Sequence, residues 1–352
     1  MVVKLKSAAK AWISVHVLVS ASLKIMRVNI TTVWALLAFT LASCTQSESA
    51  RTFQAFDSEP IFTLPNQGLE IYPERPLLTE YGLVVIDKLE KNIKILDIQS
   101  NEVISEFGGS GKGPGEYGQI WHLAFQDSLL FVLDTSLHRV TIINANDRSV
   151  VRTIPVRKDP IRIESNGQYY VMNSIGTDSL IYLFDLQTDS LISKANVENL
   201  DIQSEYSLSM QGFYTFIGDR INYFPVYDGR IFEFTVHDGG ITNYRVVETP
   251  DTARFKPTVA LNEMGTYSAK APPLDYARMG ASYDNGKYYS LSRYYEMKKR
   301  ELVYAVIDVF DEELRYIYSY DVSHIKPMPQ QMTVKDGVAC FMDLETLKCF
   351  RL

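Results

Sequence analysis

Six short runs of Val, Ile, Leu, Tyr and Phe recur along the chain at intervals of roughly 40 to 50 residues, and this recurrence restricts the fold more than any single motif. They occupy residues 83–87, 130–134, 169–173, 221–224, 288–291 and 338–343. A further run follows each after a turn, at 93–98, 139–144, 180–186, 230–235, 302–309 and 347–352. From residue 77 onward helical periodicity is almost absent, and Asp-Gly and Asn-Gly pairs punctuate the runs. Short strands with regular turn signals mark an all-β chain, and a unit of this length with four strands has the dimensions of a propeller blade. The early runs are apolar without interruption, as strands buried on both faces between neighbouring blades must be. Six units predict a six-bladed β-propeller.

The sixth unit ends on its third strand, so the ring lacks one outer strand, while residues 52–64 are apolar and otherwise unassigned. This N-terminal segment is expected to supply the missing strand and close the ring, removing an exposed sheet edge. Residues 52–352 then form one domain.

The first 43 residues carry Lys4, Lys6, Lys10, Lys24 and Arg27 and no acid. Within them a cationic start at Met26 precedes an apolar run over 33–42 and then small residues before Cys44, the layout of a complete signal peptide. Met26 is therefore read as the true start and 1–43 as a removed signal region. The apolar run is too short to span a bilayer, which takes about 20 residues. Leu41-Ala42-Ser43-Cys44 resembles the bacterial lipobox, which implies that Cys44 is lipidated, that 44–51 is a tether, and that the membrane is a partner through this lipid. The polar tether lacks an aspartate beside the cysteine, and by the same resemblance this favours an outer-membrane lipoprotein in the cell envelope, facing the periplasm or the surface.

Between the first two units lies Phe107-Gly108-Gly109-Ser110-Gly111-Lys112-Gly113-Pro114-Gly115-Glu116-Tyr117, followed by a strand ending in Asp134 and then His138-Arg139-Val140. This resembles the NHL repeat. With the lipobox, the whole mature chain resembles the six-bladed propeller lipoproteins of Bacteroidetes, a group whose shared fold carries no shared chemistry.

Chemical motifs are sparse. The glycine run fails the phosphate-loop pattern, since Glu106 stands where its first glycine belongs and Gly113 where its hydroxyl belongs. Of the expected innermost strands (77–80, 121–124, 161–164, 214–216, 279–282 and 332–335) only Glu80 and Glu164 offer carboxylates, too few for a hard cation that wants six to eight oxygens. The mature histidines His122, His138, His237 and His324 show no short ligand spacing. No metal, cofactor or catalytic residue is assigned. Lysine and arginine total 35 against 42 acids, a net charge of −7, and removal of the basic leader makes the body more acidic still, so nucleic acid is not an expected partner.

A four-residue turn at 343–346 places Cys340 opposite Cys349 in the last hairpin, at a separation compatible with a disulfide or with two buried thiols. The turns joining second to third strands and those joining blades emerge on one face, around the mouth of the central channel. That face gathers Lys88, Lys91, His138, Arg139, Tyr227, Arg293, Tyr294 and Tyr295 as candidate ligand-binding residues. It also receives the insertion 250–277, expected to be a recognition loop without strands. Basic and aromatic groups on an acidic body suit an anionic or carbohydrate ligand, or an envelope protein. The expectation is a non-enzymatic binding module; the alternative is a hydrolase or lyase at the channel mouth.

Overall fold

The computed structural model describes residues 51–352 except 67, 157–159, 175–178, 198–210, 254–257, 262–266, 271–275, 297–298 and 300. The signal region 1–43, Cys44 and the tether as far as residue 50 lie outside the described residues.

Six antiparallel blades follow in chain order. Blade one is Pro73–Thr79, Gly82–Asp87, Asn92–Asp97 and Glu102–Gly108. Blade two is Ile120–Gln126, Leu129–Asp134, Arg139–Asn144 and Val150–Pro155. Blade three is Pro160–Ser165, Tyr169–Ser174, Ile181–Asp185 and Leu191–Ala195. Blade four is Gly212–Ile217, Arg220–Pro225, Ile231–His237 and Gly240–Val247. Blade five is Tyr276–Asp284, Lys287–Glu296, Glu301–Phe310 and Tyr316–Asp321. Blade six is Gln331–Lys335, Val338–Met342 and Leu347–Arg351. The first strand of each blade is innermost, and each touches the first strand of the next around a closed ring. The fold is the six-bladed, all-β propeller that the recurrence predicts.

The tight turns follow from their residues. Asp238-Gly239, Asn285-Gly286 and Asp336-Gly337 each hold both members at positive φ, the two-residue turn whose twist matches the flanking strands. The continuous apolar runs follow from the layering. In Leu129–Asp134, Leu130 and Val132 enter the core shared with blade one, whereas Phe131 and Leu133 enter the core shared with blade three. Alternate side chains of one strand therefore serve two interfaces. Burying each contributes roughly 1.5–3 kcal/mol. Among the described residues there are six such clusters, one for each inter-blade interface.

Closure is finer than a single added strand. Phe62–Leu64 pairs antiparallel with Leu347–Arg351 and completes blade six, with Phe62 opposite Cys349. Phe53–Gln54 instead pairs parallel with Tyr316–Asp321 and gives blade five a fifth strand. The insertion departs from its expected strand-free character, because Thr258–Leu261 and Tyr267–Lys270 form a hairpin that pairs only with itself among the described residues. Each strand is four residues long, too short for alternation to stand out in the sequence.

Candidate functional site

Four of the six innermost strands carry a register shift close to their leading ends: blade one between Glu74 and Leu77, blade two between Ile120 and His122, blade three between Pro160 and Arg162, blade five between Arg278 and Gly280. A bulge re-aims the side chains beside it. These ends lie on the face where second strands turn into third strands, so the shifts encircle one mouth of the central channel.

Several ionisable side chains lie at or near these shifts. Arg75, within the first shift and beside Pro76, has φ 50, a conformation costly for a residue with a Cβ. Its guanidinium lies over Trp121, 4.6 Å from the ring centroid. Arg162 donates from Nε to the Gly212 carbonyl at 3.1 Å and lies 4.9 Å from the centroid of Phe213. His122 Nε2 and Glu164 Oε1 are 3.9 Å apart, too far for a direct hydrogen bond, and the two side chains keep 16% and 24% of their surface open to the channel. Arg75, His122, Arg162 and Glu164 line one cavity at this mouth. Glu164 and Tyr214 also line a wider chamber of about 550 Å3 that runs to the opposite mouth, where Glu80, Asp127 and Lys335 stand.

Burial decides the charge states. It pushes the Glu164 carboxyl up to about 8 against the opposing pull of Arg162. Burial, reinforced by repulsion from Arg162 and Arg75, holds His122 well below its ordinary 6.5. Burial, together with repulsion from Arg75, brings Arg162 down to about 10, and burial lowers Arg75. At neutral pH the mouth therefore holds two guanidinium cations, a neutral imidazole and a carboxyl that retains its proton. Among the described residues lining this cavity Glu164 is the sole carboxylate side chain, so the cations face no ionised counter-charge within it.

On the same face, Tyr227, Arg293 and Tyr295 come together around a second cavity of about 520 Å3, with Phe213, Met279 and Met328. Phe213 lines both cavities. The other expected ligand residues do not join either site. Tyr294 stacks on Tyr304 at 5.7 Å. Lys88 lies exposed, with Nζ 3.9 Å from Glu74, and Lys91 and His138 are exposed turn residues at positive φ.

Arg139 braces the glycine-rich turn and lines neither cavity. Its guanidinium donates to the carbonyls of Lys112 at 3.3 Å, Gly113 at 3.0 Å and Glu116, pinning the glycine-rich turn to blade two. Asp134 holds the other side, accepting from the Gly118 and Gln119 amides at 2.7 and 3.1 Å. Gly108 of the turn has φ 84, and a Cβ there would lie 2.6 Å from the buried Tyr117 ring, so this position requires glycine. Among the described residues no group of three His, Cys, Asp or Glu side chains could hold a metal ion.

Arg75, His122 and Arg162 were not among the residues expected from the sequence. The available signal was the presence of ionisable residues on otherwise apolar innermost strands.

A model of the DUF5128 family, described as a 6-bladed beta-propeller, matches residues 77–345. Among solved structures, a DUF4221 family member from Bacteroides vulgatus superposes with a TM-score of 0.56 at 10% identity, covering 86% of this chain and 98% of its own. A Bacteroides fragilis protein described as exported gives 0.54 at 13% identity, covering 85% and 98%. At such identities the likeness concerns the fold alone. No curated protein matches the sequence. The family match spans most of the chain and agrees with the blades observed, and the chain belongs to the DUF5128 family of six-bladed β-propellers.

Proposed function

We propose that this protein is a cell-envelope lipoprotein, anchored through Cys44, whose propeller is a binding module for an anionic ligand, an acidic carbohydrate being the best-suited class. The observation that carries this reading is the pair Arg75 and Arg162, which line the channel-mouth cavity with Glu164 as its one carboxyl among the described residues, and that carboxyl keeps its proton at neutral pH. Uncompensated buried cations are costly, and a ligand carboxylate supplies both the missing charge and acceptors for the guanidinium forks. The rings of Trp121 and Phe213 lie under the two guanidinium groups and help to hold them at the mouth. Support for the compartment comes from the leader sequence. The bracing of the glycine turn by Asp134 and Arg139 supports an NHL-type origin for blade two.

Calorimetric titration of the full-length protein with D-glucuronate and with uncharged D-glucose tests the reading. Glucuronate is expected to bind, glucose to bind at least about tenfold more weakly, and Arg162→Met to remove the difference. Equal affinities for the two sugars, or a preference unchanged in Arg162→Met, would refute it.

His122 and Glu164 favour one second reading, a hydrolase or lyase. At neutral pH one holds a proton and the other does not, the division of labour required of a general acid and base. Chain cleavage of an acidic polysaccharide, lost in both His122→Gln and Glu164→Gln, would establish that reading over simple binding.

A further inference from the structure

We infer that the second cavity, at the mouth face of blades four and five, is a separate binding site for a flat aromatic acid: a ring carrying a carboxylate or an equivalent anionic oxygen group. Two arginines line this cavity, and the contrast between them carries the inference. Arg278 is fully used. Its Nε donates to Ser290 Oγ at 2.8 Å, one terminal nitrogen to the carbonyls of Pro225, Asp228 and Arg230 at 3.0 to 3.2 Å, and the other to the Gly229 carbonyl at 3.0 Å. It is a wall. Arg293 is not used in this way. Among the described residues its Nε is buried with no hydrogen-bond partner, and a terminal nitrogen meets only the Met328 sulfur at 3.9 Å, a weak acceptor.

A buried donor left unbonded costs about 1–3 kcal/mol, more when it belongs to a charged group, so a ligand acceptor placed on this fork would recover that cost. Space for that partner is built into the sheet. Arg293 lies in register between Ala277 and Ala305, the small residues on its two neighbouring strands. The remaining lining selects for a ring. Phe213, Tyr227 and Tyr295 present aromatic surfaces, and Met279 and Met328 present thioethers that pack adaptably on ring edges. A volume of about 520 Å3 suits a small ligand, for which sites of about 300–1,000 Å3 are usual. An acid on the Arg293 fork with its ring among these side chains satisfies the charge and the apolar walls together. This site goes beyond the channel mouth, from which it differs in its arginine and its apolar lining, although Phe213 is common to both.

The test is calorimetric titration of the full-length protein with 2-naphthoate and its neutral isostere 2-naphthamide. Naphthoate is expected to bind one site, at least about tenfold more tightly than the amide. Arg293→Met should erase that preference, while Arg162→Met should keep it and lose glucuronate binding. Met328→Trp, which fills the cavity and retains Arg293, should weaken naphthoate by a similar factor, so the inference stays testable if Arg293→Met fails to fold. Equal affinity for acid and amide, or a preference that survives Arg293→Met, would overturn the site. Loss of the preference in Arg162→Met instead would also overturn it, by placing naphthoate in the channel. A failure of glucuronate binding with naphthoate behaviour intact would count against the channel reading alone.

Discussion

Arg51 grips Asp308 with two nitrogens, Nε to Oδ1 and a terminal nitrogen to Oδ2, both at 2.9 Å. The same guanidinium bonds Asp251 at the start of the insertion and lies over the Tyr304 ring, 5.2 Å from its centroid. Both carboxylates are 2% exposed at the side chain, so this arginine neutralises charge that has no access to water. Arg51→Ala would leave two acids buried and close together. Removing one partner of such a buried pair costs about 3–5 kcal/mol. Urea unfolding of the full-length protein should show a loss of that size, partly recovered in Arg51→Met combined with Asp308→Asn. A loss below about 0.5 kcal/mol, the scale of an ordinary surface change, would show that the clasp contributes little.

The closing strand makes a separable prediction. Phe62 and Leu64 are buried in the cluster that joins blades six and one. Losing such side chains from a core costs about 2–5 kcal/mol each. Deletion through residue 70 should therefore destabilise the whole ring, deletion through residue 60 should cost chiefly the Arg51 clasp and the Phe53–Gln54 strand, and deletion through residue 50 should change little. Equal melting temperatures for the three truncations would refute closure by this segment.

In that same cluster Cys340 and Cys349 face each other across the last hairpin, with Cα atoms 4.0 Å apart and the sulfurs joined in a disulfide. The short loop they close limits the entropic stabilisation to about 2.5 kcal/mol, which for a domain of about 300 residues corresponds to a melting temperature lowered by about 4 °C on reduction. Thiol titration of the unreduced, denatured protein should find neither cysteine free. Two free thiols from this pair would exclude the bridge in the mature protein.

The parts of this structure that were legible in the sequence are those in which every residue of an element obeys one rule. Leu129–Asp134 declares itself because every position after Leu129 is buried, and Asn285-Gly286 because few other pairs tolerate two positive φ values. Phe62–Leu64 could be placed by elimination, since the ring needed one more strand. Phe53–Gln54 could not, because a two-residue parallel pairing leaves no periodicity to detect. At the site, Tyr227, Arg293 and Tyr295 were legible together because all three close the second strands of adjacent blades on one face. Lys88, Lys91 and His138 share that face but line neither cavity, since topology assigns a face and not a distance from the channel. Arg75, His122 and Arg162 were hidden by the bulges. Alternation tells which side chains point inward only while the register is unbroken, and Arg75 lies ahead of the point at which its strand could be recognised.

The titration of Glu164 links the site to stability and to binding. Its folded value is raised to about 8 from the ordinary 4.5, so between these limits the folded state holds a proton that the unfolded state has released. Stability from this group is complete below about pH 4.5, declines as pH rises, and is gone above about 8. His122 acts in the opposite sense: its folded value lies well below 6.5, so its contribution is present above pH 6.5 and is lost as pH falls below it. Between pH 6.5 and 8 Glu164 is therefore the group of the two that imposes a slope, and stability should fall across that interval in the wild type. Glu164→Gln should remove that part of the slope. Binding should follow the same proton, because an ionised Glu164 becomes an internal counter-charge for Arg162 and competes with a ligand anion. Glucuronate affinity is expected to drop as pH passes 8 in the wild type and to stay level in Glu164→Gln. An affinity that falls equally in both proteins would assign the titration to another group and separate Glu164 from ligand recognition.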